Sequence, residues 1–153
     1  VDWVIVPGEL ARLLAGQPVV GATEQAFPFL TVDEGGFPHV ALLSRAEIGL
    51  NPDGTEVFAA VASRRTRANL EREGRAGLIA VDGITAHYVK LQLMRTIQSV
   101  EALGCALRVI EFKADSLGVP LSPISFGVTA EIVRLDGWEA SRQLLRRLAD
   151  GRT

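Results

Sequence analysis

Residues Ala86 to Ile97 alternate in polarity with a period of two. Val89, Leu91, Leu93 and Ile97 fall on one side of an extended chain, and Tyr88, Lys90, Gln92 and Thr96 fall on the other. That pattern requires a long strand with one buried face. Such a strand needs partners for its backbone and a core for its apolar side. The rest of the sequence supplies both. Val19 to Thr23, Phe27 to Val32, Phe37 to Ser44, Val57 to Ala62, Leu78 to Val81 and Cys105 to Phe112 read as strands. Phe126 to Leu135 reads as another, with Val128, Ala130 and Ile132 inward. Turns punctuate them at Asp33-Glu34-Gly35-Gly36, Asn51-Pro52-Asp53-Gly54 and Asp82-Gly83. Leu117 to Ser125, rich in proline, reads as a loop.

Helical patterns are few. Pro7 to Ala15 places Leu10, Leu13 and Leu14 on one face. A second helix starts at Ser63, a good N-cap, and stops at Gly74, a natural C-cap. Asp136-Gly137-Trp138-Glu139 resembles a capping box, opening a final helix with a packing stripe of Trp138, Ser141, Leu144, Leu145 and Leu148. Six or seven of these strands, joined mostly by short turns, imply an antiparallel barrel or sandwich. Phe37–Ser44 and Val57–Ala62 lack alternation, so both faces of each need cover. A helix, a partner subunit or a flat ligand would serve, and this hints at a dimer built around a cofactor.

The run Ser63-Arg64-Arg65-Thr66-Arg67-Ala68-Asn69-Leu70 crowds three arginines into a first helical turn. Cations there oppose the helix dipole by about 0.3–1 kcal/mol each. A phosphate among the guanidinium forks, a Ser63 or Thr66 hydroxyl and free backbone N–H groups would justify the arrangement. Without a ligand the same run is a solvated, basic helix start. The net charge of −2 makes these arginines a local patch and argues against a nucleic-acid surface over the whole domain. The single cysteine, Cys105, excludes an intramolecular disulfide and suits a reducing cytosol. It sits in an apolar run, as a buried inert thiol would. No apolar stretch spans a bilayer and no secretion signal is evident, so a cytoplasmic protein without membrane contact is expected.

From Phe29 to Val81 the chain resembles the FMN-binding split-barrel superfamily that includes the pyridoxamine 5′-phosphate oxidases. The resemblance rests on FLTVDEGGFPHVALLS (Phe29–Ser44), DGTEVFAAVASRR (Asp53–Arg65) and TRANLEREGRAGLIAV (Thr66–Val81). It implies a mainly β, six- to seven-stranded antiparallel split barrel of Greek-key type with a few short flanking helices, residues 1–153 forming one flavin-binding domain. It also implies bound FMN held between the subunits of a homodimer, with a deazaflavin or haem as alternatives. By that resemblance Val40, Ala41, Leu42, Leu43 and Ser44 lie along the flavin ring, and Ala59 and Ala60 match a further cofactor contact. Arg65 and Thr66 fall on phosphate-binding positions, where Arg64 and Asn69 are neighbours able to assist. The implied activity is hydride or electron transfer between flavin and an unidentified small molecule. The alternative is a non-enzymatic carrier or sensor on the same barrel.

The chain departs from the family at Ser44, where the oxidases usually carry lysine, although Arg45 follows. The C-terminal arginine and tryptophan signature of pyridoxamine phosphate oxidases is missing, so oxidation of a phosphorylated vitamin is not expected. No catalytic residue is named, because nothing in flavin redox chemistry requires a protein acid. His39 and His87 lack companions at metal-ligand spacing, so no metal is expected. Ser99 and Ser141 have no nucleophile pattern, and Gly35-Gly36 is a hairpin turn and not a phosphate loop. The Tyr88, Lys90 and Gln92 face reads as a solvated sheet surface, or as one that hydrogen-bonds a ligand.

Overall fold

The computed structural model describes residues 3–151. The elements run α1 (Gly8–Leu14), β1 (Thr23–Gln25), β2 (Phe27–Val32), β3 (Pro38–Leu43), β4 (Ile48–Leu50), β5 (Glu56–Val61) and α2 (Arg64–Glu73). They continue with β6 (Arg75–Asp82), β7 (Thr85–Gln98), β8 (Leu103–Ser116), β9 (Ser125–Gly127), α3 (Ala130–Leu135) and α4 (Trp138–Ala149). Seven strands form one antiparallel sheet in the order β3-β2-β6-β7-β8-β5-β4. The sheet curls around a single core, a split barrel with β3 and β4 as its free edges. Phe27, Phe29, Val57, Leu78, Val89, Leu91 and Leu107 fill the interior, and Leu10 and Leu14 of α1 plug it.

The long alternating strand is β7, and its pairing with β8 is interrupted twice. Register shifts with β8 fall between Lys90 and Leu91 and between Leu93 and Arg95, leaving Ile110 of β8 and Met94 of β7 as the extra residues. An inserted residue reverses the side to which later side chains point. Ile97 therefore leaves the face of Val89 and Leu91. It packs outside the barrel with Phe58, Ala60, Ala106, Leu144 and Leu148. This outer cluster settles how the non-alternating Val57–Ala62 segment is covered. Val57, Ala59 and Val61 face the barrel interior, whereas Phe58 and Ala60 lie under α4. The cover is a helix. On β3 the pattern is different: Leu43 is buried, but Val40 and Leu42 are each 52% exposed.

Three sequence expectations change. Val19 and Val20 are exposed in a turn, and the strand begins only at Thr23. Gly21, at φ 90°, breaks any extension between them. The strand expected over Phe126 to Leu135 stops at Gly127. Thr129 then caps α3, its Oγ1 accepting from the Ile132 N–H at 3.1 Å. Val128, Ile132 and Val133 still face a core, packing with Trp138 and Ala46, but Ile132 and Val133 do so at helical spacing. The capping box at Asp136 is also absent. Asp136 closes α3, its N–H bonding to Ile132 O at 2.9 Å, and Gly137 at φ 64° caps α4 without a side chain. The tight α3–α4 corner uses both residues as turn. One strand, β4, is too short for alternation to reveal.

Other expectations hold. Ser63 caps α2, accepting from Thr66 N–H at 3.3 Å, and Gly74 ends it at φ 69°. Trp138, Ser141, Leu144 and Leu148 form the buried stripe of α4. Cys105 is buried, and desolvation pushes its thiol up to about 12. Among the described residues no helix is long and apolar enough to cross a membrane.

The α4–barrel contact depends on Gly104. A Cβ there would meet Leu144 Cγ at 2.8 Å, so α4 would have to lift. Gly104→Ala is expected to cost about 1–3 kcal/mol in denaturant unfolding. Adding Leu144→Ala should make the pair less destabilised than the sum of the two single changes, because it removes the clash.

Candidate functional site

Three clefts border β3 and the start of α2. The largest, about 610 Å³, lies between Ala41–Leu43 of β3, Val61 and Ala62 at the end of β5, Ser63, and the Arg134–Gly137 corner. A second, about 310 Å³, lies beyond α2 and is lined by His39, Arg65, Asn69 and Arg72 with the Asp33–Gly35 turn. A third, about 290 Å³, lies between Leu42–Ser44, β9 and Trp138. Strand β3 runs from the second cleft to the first. The four residue steps from His39 to Leu43 span roughly 13 Å. Because β3 is an edge strand bonded only to β2, half of its backbone groups are free. The Asp33 N–H bonds to Phe37 O at the hairpin. Ladder alternation then directs His39, Ala41 and Leu43 to β2 and leaves the N–H and C=O of Val40 and Leu42 on the open side.

Ser44 has a different setting. It is buried, its N–H and Oγ both donate to Glu47 Oε1 at 3.0 Å, and its Oγ accepts from Ala46 N–H. Arg45 is committed as well, gripping Glu24 at 2.7 and 2.9 Å and bonding Ala15 O. Ala59 and Ala60 are sealed, one inside the barrel and one under α4.

The basic turn divides in two. Thr66 is 0% exposed and its hydroxyl donates to Ser63 Oγ at 3.2 Å. Asn69 is buried, donating to Thr31 Oγ1 at 3.0 Å and accepting from Arg72 at 3.1 Å. Arg67 folds back onto Ala62 O at 3.1 Å. Arg64 and Arg65 are exposed, and among the described residues neither has an ion-pair partner. No acidic residue sits in the first turn of α2 to offset them. The structure thus brings Arg65 and Asn69 to one cleft and Ala41–Leu43 with Ser63 to the next, joined by β3.

Sequence reasoning passed over Glu47, Asp136 and the polar edge of Trp138. Glu47 and Asp136 line both the first and the third cleft. Ser44-x-x-Glu47 has the spacing of a reciprocal capping pair, the one signal that could have found it. Trp138 registers in the sequence only as an apolar member of a stripe. His39 is half-buried, and His87 is buried against Phe112 with ring centroids 5.7 Å apart. Among the described residues no group of three or more His, Cys, Asp or Glu is placed to hold a metal.

Burial raises the pKa of Glu47 above the ordinary carboxylate value of 4.5; hydrogen bonds from Ser44 pull it back down, and Asp136 adds to the rise. A raised native value means that the folded protein holds this proton more tightly than the unfolded chain. Its contribution to stability is present below about pH 4.5 and is lost as pH climbs through the native value. Glu47→Gln keeps an acceptor for Ser44 and cannot ionise. Its stability relative to wild type is expected to rise as pH increases from 4.5 toward neutrality in paired unfolding titrations. A flat difference would contradict the assignment.

No protein-family profile matches the sequence, and no curated protein does. Solved structures do match in three dimensions. HupZ from Group A Streptococcus aligns at TM-score 0.56 and 17% identity, over 77% of this chain and 100% of that one. The styrene monooxygenase flavin reductase SMOB from Pseudomonas putida S12 aligns at 0.52 and 14%, over 69% and 87% of the two chains. Nitrilotriacetate monooxygenase component B from Mycobacterium thermoresistibile aligns at 0.52 and 12%, over 72% and 83%. Identities this low establish architecture alone: the chain has a split-barrel fold, the fold that the resemblance over Phe29–Val81 implies.

Proposed function

We propose that this protein binds FMN along β3 and transfers hydride or electrons between the flavin and a small molecule. One observation carries the reading. An edge strand with free backbone groups at Val40 and Leu42 joins an open cleft to a helix start bearing two arginines that have no ion-pair partner among the described residues. The donors fit the group: guanidinium forks suit a phosphate, and strand amides suit the heteroatoms of a flat ring. When bound, the flavin supplies the redox chemistry. The chain's own residues hold and orient it. Arg65, with Arg64 beside it, faces the phosphate, and Thr66 and Asn69 fix the helix start from beneath. Val40 to Ser44 present the strand, with Ser44 and Glu47 shaping its end, while Ala59 and Ala60 keep the wall behind it dry. That one of the structural neighbours is named a flavin reductase is in keeping with this reading. The buried, reduced Cys105 suits a cytoplasmic protein.

The anion contact is tested by Arg65→Ala. Loss of a charge-assisted bond worth about 1.5–3 kcal/mol should weaken FMN binding by roughly 10- to 150-fold. Riboflavin, without the phosphate, should bind both proteins alike. An unchanged FMN affinity would reduce the basic turn to a solvated helix start. Haem in place of flavin would announce itself in the absorbance spectrum of the purified protein.

The exposed apolar side of β3 supports a homodimer with the cofactor between subunits. Light scattering at micromolar concentration should give twice the chain mass, with more than about 1,000 Å² buried in total. Val40→Glu should shift it toward monomer while circular dichroism stays native. A wild-type monomer would contradict the shared-site arrangement.

A further inference from the structure

A fourth cleft, about 340 Å³, lies between the end of α1, strand β4 and helix α4. It contains a glycine that the packing of the chain does not explain. Gly49 is the middle residue of β4. Glycine weakens a strand, and it marks places where the strand bulges, bends sharply or is closely approached by a ligand or another backbone. The register of β4 with β5 runs unbroken through Gly49 and Phe58, and Gly49 is not among the glycines of positive φ. Among the described residues, a Cβ built on Gly49 would meet only Leu145 Cδ1 at 3.9 Å and Phe58 Cδ2 at 4.0 Å, and no backbone. Both are ordinary contacts, so there is room for a side chain that the sequence does not supply. Gly104, also beneath α4, is the contrast, because Leu144 occupies the place of its Cβ.

We propose that this cleft is a binding site for a small amphipathic carboxylate, its aliphatic chain lying over Gly49 and its carboxylate meeting Arg142 and Arg146. Arg142, Leu145, Arg146 and Ala149 line the cleft at the spacing i, i+3, i+4 and i+7, so one face of α4 forms its wall. Ala11, Leu50 and Leu145 are only partly buried and leave apolar surface for a chain. Two arginines line the cleft and no acidic residue does. Arg146 is exposed and has no ion-pair partner among the described residues. Arg142 spends only Nη2 on Glu139. Guanidinium forks match a carboxylate in bidentate geometry, and their fixed charge disfavours a cationic ligand. Ligand clefts run from about 300 to 1,000 Å³, so about 340 Å³ suits a short chain. The cleft shares no lining residue with the three along β3, so this site does not rest on the flavin reading.

The test uses the full chain labelled with nitrogen-15, without added flavin, and octanoate as the probe. Octanoate should move the amide resonances of Gly49 and Leu145 saturably while those of Val40 and Leu42 stay still. Octanol, with the same chain and no charge, should bind about tenfold more weakly, the worth of a charge-assisted bond. Octylamine should bind more weakly still. Arg146→Gln, at an exposed position, should lower octanoate affinity by a similar factor and leave octanol binding unchanged. Gly49→Leu fills the space above β4 and should lower the affinity for both, with the molecular mass by light scattering unaltered. If Gly49→Leu fails to fold, Arg146→Gln and the octanoate–octanol comparison on wild type decide alone. Equal binding of octanol and octanoate, or an unmoved Gly49 resonance, would overturn the proposal. So would a folded Gly49→Leu of altered mass, which would mark the cleft as a contact between copies of the chain. FMN titrations run separately, so a failure here leaves the flavin reading standing, and the reverse also holds.

Discussion

A sheet that curls around one core has a second face, and that face can be covered only where another element lies. In this chain α4 lies over β5 and β8, and its seat depends on the missing side chain at Gly104. The bulge at Met94 turns Ile97 outward to meet the helix, and Arg95 fastens it, donating to Leu148 O at 3.1 Å while pairing with Glu56. With the helix spent on that side, β3 at the far edge of the sheet is left uncovered. The open apolar side of β3 lies at the opposite edge of the sheet from the strands that α4, the longest described helix, covers.

Electrostatics complete the picture at the start of α2. Ser63 and Thr66 satisfy each other, Arg67 is absorbed by backbone carbonyls, and Asn69 and Arg72 tie the helix to β2. These contacts hold the turn rigidly while leaving Arg64 and Arg65 outside it. Positive charge at a positive helix end is unfavourable unless something anionic arrives. The fold supports that arrangement with internal hydrogen bonds instead of neutralising it with an acidic residue.

Much of this was legible in the sequence. The hairpin at Asp33–Gly36, the caps at Ser63 and Gly74 and the stripe of α4 are local patterns, and local chemistry fixes them. The strand–turn–helix order around Ser63 was enough to find the fold. The errors share a physical origin in short segments with tertiary roles. Val128, Ile132 and Val133 are apolar in either a strand or a helix, and the Thr129 cap decided between them. Ile97 kept its period in the sequence while a bulge moved it to the other face. Glu47 and Trp138 went unnoticed as polar groups because the burial of the one and the missing partner of the other exist only once the elements have packed.

The open edge of β3 is the strand proposed to receive a ligand. Amide hydrogen exchange at Val40 and Leu42 tests this most directly, because ladder alternation leaves their N–H groups on the open side of β3, without partners among the described residues. Saturating FMN should slow exchange at both amides. The Ala41 amide, already bonded to β2, should change far less. Exchange at Val40 and Leu42 that stays as fast with FMN bound as without it would contradict the claim.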